Sequence, residues 1–237
     1  QALPAGADWG AVGPDLAPHV ATGTEWLRGL PGQTMGAIHL GMLQADMGDP
    51  DLMVKAQAWL GEGAVLASRM GNTTEGISHS CILTNFRIGA DGFERMLVLA
   101  PEGTTEARAG RISQRVLEVE TYRLMALRGL PVTKNLSTML SAAESQLADL
   151  TGSLERKGET DQALLDSLVA LAASIERATA EHGFRFSATR AYDTLVSQRL
   201  VELRERPISG TQTLGEFMQR RLSPAMATVQ ATEKRLA

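Results

Sequence analysis

His79 and Cys81 are the two residues whose types and spacing come nearest to chemistry. They lie within Ile77–Leu83, a segment that reads as part of a strand. Strand side chains alternate, so His79 and Cys81 share one face with Ile77 and Leu83. A thiol beside an imidazole can act as nucleophile and base, or the pair can supply two metal ligands. No third ligand accompanies them at metal-binding spacing. The preferred reading is therefore a half-buried strand carrying a small hydrophobe, Cys81, and a satisfied histidine, His79. His19, His39 and His182 each stand alone. Nucleophile elbows, phosphate loops and dinucleotide fingerprints do not occur, so no catalytic residue, metal or cofactor is expected.

A second cluster is denser. Arg111, Arg115, Glu118, Glu120, Tyr122, Arg123 and Arg128 fall within eighteen residues. On a helix, Arg115 with Glu118 and Glu120 with Arg123 are i,i+3 pairs, and Glu118 with Tyr122 is an i,i+4 pair. Two carboxylates could serve as acid and base or bind a cation. Such sets more often satisfy one another, so Arg115, Glu118, Glu120, Tyr122 and Arg123 are read as a structural polar network. The C-terminal end is basic through Arg204, Arg206, Arg220, Arg221, Lys234 and Arg235, which read as solvated helix faces, with anionic lipid as the alternative. Aromatics do not interleave with them and the net charge is −4, so nucleic acid is not an expected partner.

The elements that position these residues divide near residue 110. Residues 1–110 carry 17 of the 23 Gly and six of the nine Pro, with a net charge of −6; residues 111–237 carry a net of +2. Glycine and proline punctuate turns, so the first part reads as strands and loops and the second as helices. The expected fold is α+β: a small antiparallel sheet region over 1–110, incomplete at its N-terminus, then a helical bundle over 111–237. The single cysteine excludes an internal disulfide framework.

In the first part, Trp9 and Trp26 are candidate anchors of an irregular start. Strands are expected at Thr34–Leu43 and Ala64–Met70, with a short helix at Asp51–Leu60 capped by Asp49 or Asp51. Ile77–Ile88 and Arg95–Ala100 flank Asp91-Gly92, a hairpin signal. In the second part, Arg111–Arg128 reads as a helix stopped by Gly129, Leu130 and Pro131. Leu136, Leu140, Ala143, Leu147, Leu150 and Leu154 follow at alternating four- and three-residue steps. Leu164, Leu168, Leu171, Ile175 and Ala178 repeat that spacing beyond the polar turn Glu155–Thr160. The two seams predict a long antiparallel coiled-coil-like hairpin. Leu140, Leu147, Leu150, Leu168, Leu171 and Ile175 mark it. A further helix is expected over Ser187–Arg206, ending at Pro207. Thr213 and Glu216 form a capping box that opens the last helix, which Pro224 kinks or restarts.

Several phrases resemble a known family: Gly110-Arg111-Ile112-Ser113-Gln114-Arg115, Glu118-Val119-Glu120-Thr121-Tyr122-Arg123, Gly129-Leu130-Pro131, Arg185-Phe186-Ser187-Ala188, and Arg220-Arg221-Leu222-Ser223-Pro224-Ala225. They resemble the bacterial predicted membrane-anchored proteins grouped as domain of unknown function 3422. Asn85 departs from the Asp expected at its position. The resemblance implies that two hydrophobic helices follow in the whole protein, that this chain is its middle part, and that it faces the cytoplasm at the bacterial inner membrane. It carries over no catalytic residues.

Three functions are in view. The first is a non-enzymatic soluble part of a membrane-anchored protein, binding itself or another protein through its helices and reaching the membrane through segments beyond residue 237. The second, by analogy of architecture alone, is the cytoplasmic domain of a CorA-like ion channel or transporter. The third is an enzyme built on Glu118 and Glu120 or on His79 and Cys81, which requires those groups to converge in a pocket.

Overall fold

The computed structural model describes residues 29–46, 49–70, 79–156 and 161–236, with the side chains of 154–156 excepted. Trp9, His19, Trp26, Ile77, Leu154 as a seam residue and most of the turn at 155–160 lie outside what it describes. The fold is α+β. It forms two compact units: one comprises Gln1–Thr121 with Val196–Met218, the other Tyr122–Leu195 with Gln219–Ala237.

Among the described residues, the first unit is built on five strands: β1 (Ile38–Gln44), β2 (Leu66–Met70), β3 (Ser80–Ile88), β4 (Glu94–Ala100) and β5 (Glu205–Pro207), in the order β1-β4-β3-β2-β5. The β3–β4 hairpin forms at the Asp91-Gly92 signal. Gly92 takes a φ of +83°, the Gly89 amide donates to the Phe93 carbonyl at 2.8 Å, and the Asp91 side chain accepts the Phe93 amide at 3.1 Å. Helix α1 (Leu52–Leu60) lies over β3 and β4. Leu52, Ala56, Trp59 and Leu60 join Leu43, Ala67, Cys81, Leu83, Leu97 and Leu99 in one core. Asp49 precedes the helix and accepts the Asp51 amide at 2.9 Å.

The sheet corrects the expectation of a purely antiparallel arrangement. β1 runs parallel to β4, pairing Ile38 with Glu94 through Gln44 with Ala100. A helix and two strands separate β1 from its partner in sequence, and such a crossover can deliver a parallel strand where a tight hairpin cannot. β3 from Ser80 to Asn85 and β4 at all but Arg95 are buried, so both faces of that part of the sheet are covered.

Four long segments complete the chain: α2 (Glu106–Leu127), α3 (Gly129–Arg156), α4 (Asp161–Leu203) and α5 (Leu214–Leu236). Leu222, Met226, Val229, Thr232 and Leu236 are buried along α5, the one-stripe pattern of an amphipathic helix. The capping box is present: the Glu216 amide donates to Thr213 Oγ1 at 3.1 Å and the Thr213 amide to Glu216 Oε2 at 2.9 Å. Among the described residues, no helix is long and apolar enough to cross a membrane.

Four helix boundaries differ from the sequence reading. α2 starts at Glu106, not Arg111. Gly129, Leu130 and Pro131 do end α2, but they also open α3 directly. Pro131 falls in the first turn, where its missing N–H leaves no bond unmade. The expected break before Ser187 is absent, and α4 runs unbroken for 43 residues. Gly183 carries the helix through that stretch at the modest cost of a glycine. α4 then stops at Leu203 and not at Arg206. Arg204 turns left-handed with φ +50°, and Glu205–Pro207 pairs with β2 as an edge strand. Pro207 suits an edge because it has no N–H to donate. Pro224 stands inside a continuous α5.

Candidate functional site

Cys81 sits on β3, 4% exposed, facing the α1 core with Leu83. Burial pushes its thiol pKa up to about 11, only partly offset by the charge of Arg69. A thiol so placed is neutral at physiological pH and acts as a small hydrophobe, because the thiolate is the reactive form. His79 lies one residue before β3 and is partly buried. No group of three or more His, Cys, Asp or Glu able to hold a metal occurs among the described residues.

The charged residues of α2 meet α4 within the first unit. Glu118 accepts a hydrogen bond from Gln114 at 2.8 Å and pairs with the Arg199 guanidinium. Arg199 also reaches Glu202 at 2.8 Å, and Arg115 reaches the same carboxylate at 3.4 Å. The Gln114 hydrogen bond, the largest cause, together with Arg199 and Arg115 holds the Glu118 carboxyl below its usual range, although burial opposes them. A carboxylate committed in this way is a poor proton donor near neutral pH, and the ladder works as a cross-link between two helices. Glu120 is fully buried; neither it nor Arg123 is without a partner. In the second unit, Tyr122 tilts against Tyr192 with ring centroids 5.9 Å apart.

The seam residues of the second unit have unequal environments. Leu140 is 1% exposed and Leu150 is buried, whereas Leu147 is 48% exposed. On α4, Leu164 is buried, Leu168, Leu171 and Ile175 are partly exposed, and Leu165 and Val169 face solvent at 53% and 60%.

Residues 11–237 match the family model described as Protein of unknown function (DUF3422). The chain belongs to this family. No curated protein and no solved structure matches it. The DUF3422 assignment therefore brings no catalytic or binding residue with it, and the chemistry rests on the side chains themselves.

Two polar groups in this DUF3422 chain escaped sequence reasoning. Glu205 on β5 accepts the Gly215 amide at 2.9 Å, placing a carboxylate at the start of α5 beside Ser68. Burial raises its pKa, with the Gly215 hydrogen bond opposing. His39 on β1 stacks on Phe93 with centroids 3.9 Å apart, and burial lowers its pKa. Nearby Asp91 pairs with Arg95 at 2.9 Å, and Arg95 also donates to the Trp59 carbonyl. Both groups depend on contacts between residues far apart in the chain. Of their members, only Asp91 carried a local signal, as a turn residue.

Proposed function

We propose that this chain is a non-enzymatic assembly module, part of a membrane-anchored protein at the cytoplasmic face of the bacterial inner membrane, and that it joins another copy or a partner protein through its helices. The observation that carries the reading is the surface of α4 between Leu164 and Ile175. Only Asp166, Ser167 and Ser174 are polar in that stretch. A helix apolar on most of its circumference is normally covered on most sides, yet Leu165 and Val169 are more than half exposed and Leu168, Leu171 and Ile175 are partly so. Scattered apolar residues are ordinary on a surface; a stripe along one helix is not. In this reading the leucines of α3 and α4 form a coiled-coil-like hairpin whose outer stripe is completed by the partner.

The enzyme alternative is disfavoured by the neutral, buried thiol of Cys81 and the fixed carboxylate of Glu118. Sedimentation equilibrium of the chain and of L165E/V169E tests the proposal. Concentration-dependent association that the double substitution abolishes supports it. A chain that is monomeric throughout, or a variant that associates equally well, contradicts it.

A further inference from the structure

Across the edge of the sheet, two like charges stand directly opposite one another. β2 and β5 are antiparallel, and their register pairs Arg69 with Arg206. Residues so paired project on the same face with Cβ atoms about 4.5–5.5 Å apart, and like charges there are destabilising. Both arginines are exposed. Among the described residues, neither makes a side-chain hydrogen bond or ion pair. On its other side Arg69 pairs with Cys81, so both guanidiniums belong to the face that carries α1. α1 lies over β3 and β4, and on that face of β2 Ala67 is buried while Arg69 is exposed.

His79 adds a third polar group. It lies one residue before β3, next to the last β2–β3 pair, Met70 with Ser80, and its Nδ1 is buried without a hydrogen-bond partner. Among the described residues, no carboxylate forms an ion pair with either arginine.

We propose that Arg69 and Arg206 form a fork that binds a phosphate group, with His79 at its flank. Guanidinium suits this ligand: its planar N–H donors match two oxygens of a phosphate at once, and two guanidiniums can engage one tetrahedral anion from different sides. Bound phosphate also cancels the repulsion between the two arginines. The site lies in the first unit and is independent of the assembly surface on α4.

Calorimetric titration with inorganic phosphate at low ionic strength tests the fork, using the wild type, R69Q, R206Q and, as a control, R177Q at an exposed arginine of α4. Glutamine relieves the cross-strand repulsion, so both fork variants are expected to fold, which circular dichroism checks. Saturable binding in the wild type and R177Q, weakened about tenfold or more in each fork variant, supports the proposal. Absence of saturable binding to the wild type, or unchanged binding in either fork variant, overturns it. A parallel arm with phosphatidylcholine vesicles containing phosphatidic acid identifies the source. Vesicle binding lost in R69Q and R206Q assigns the fork to a lipid headgroup; binding of free phosphate without vesicle binding assigns it to a soluble ligand.

Discussion

A side chain placed on Gly129 would put its Cβ 2.5 Å from Thr189 Oγ1 and 3.2 Å from Thr189 Cβ. Thr189 is buried, and with its Cγ2 3.1 Å away as well, turning the side chain only exchanges one branch for the other. The start of α3 thus approaches α4 more closely than any residue but glycine allows. G129A is expected to destabilise the protein by about 1–3 kcal/mol through overpacking. Gly183 in the middle of α4 provides the contrast, because a Cβ there meets nothing within 4 Å. G183A should stabilise by about 0.5–1 kcal/mol through helix propensity. Urea midpoints of the two variants should move in opposite directions, and movement in the same direction would contradict the close packing.

The Cys81 thiol, raised to about 11 by burial, should react with a maleimide only when the protein unfolds. Labelling rates followed against urea should track global unfolding. Rapid labelling of the native protein at neutral pH would show the thiol to be accessible and would reopen a chemical role.

Glu118 is held below its ordinary pKa by Gln114 and Arg199. A depressed carboxylate adds stability above its unfolded pKa and loses it as the pH falls through the folded value. The E118Q variant should therefore be less stable than the wild type near neutrality, by no more than about 1 kcal/mol for a partly exposed pair. The difference should shrink below about pH 4.5. Melting temperatures measured from pH 3 to 7 check this, and a gap that persists at the acid end would rule out the ion pair as its source.

Glu205 carries the opposite sign. Burial raises its folded pKa, so its contribution is fully present below the unfolded value and is lost as the pH rises through the folded one. Relative to E205Q, which keeps an oxygen to accept the Gly215 amide, the wild type should lose stability as the pH rises from acid toward neutral. A pH-independent difference between the two would mean that the carboxylate is not desolvated.

Local signals were legible in the sequence. Asp91-Gly92 placed the hairpin, Thr213 with Glu216 placed the start of α5, and the leucine spacing placed two helices. What was not legible depended on distant partners. Nothing near Ile38–Gln44 says that it joins β4 in parallel, and nothing near Glu205 says that three residues beyond α4 will pair with β2. Gly129-Leu130-Pro131 misled in part, because the residues that stop one helix can also start the next. The charges of α2 were visible, but their main partners, Arg199 and Glu202, lie more than eighty residues away.

The central claim is that the outer stripe of α4 around Leu165 and Val169 is covered by another protein chain, a second copy being the simplest case. Because Cys81 is buried, a nitroxide attached through V169C reports selectively on that stripe. Pulsed dipolar spectroscopy of the labelled chain should show a short intermolecular distance that disappears when L165E is added. A decay with no defined intermolecular distance, or a distance unaffected by L165E, would contradict the assembly of two copies through this face.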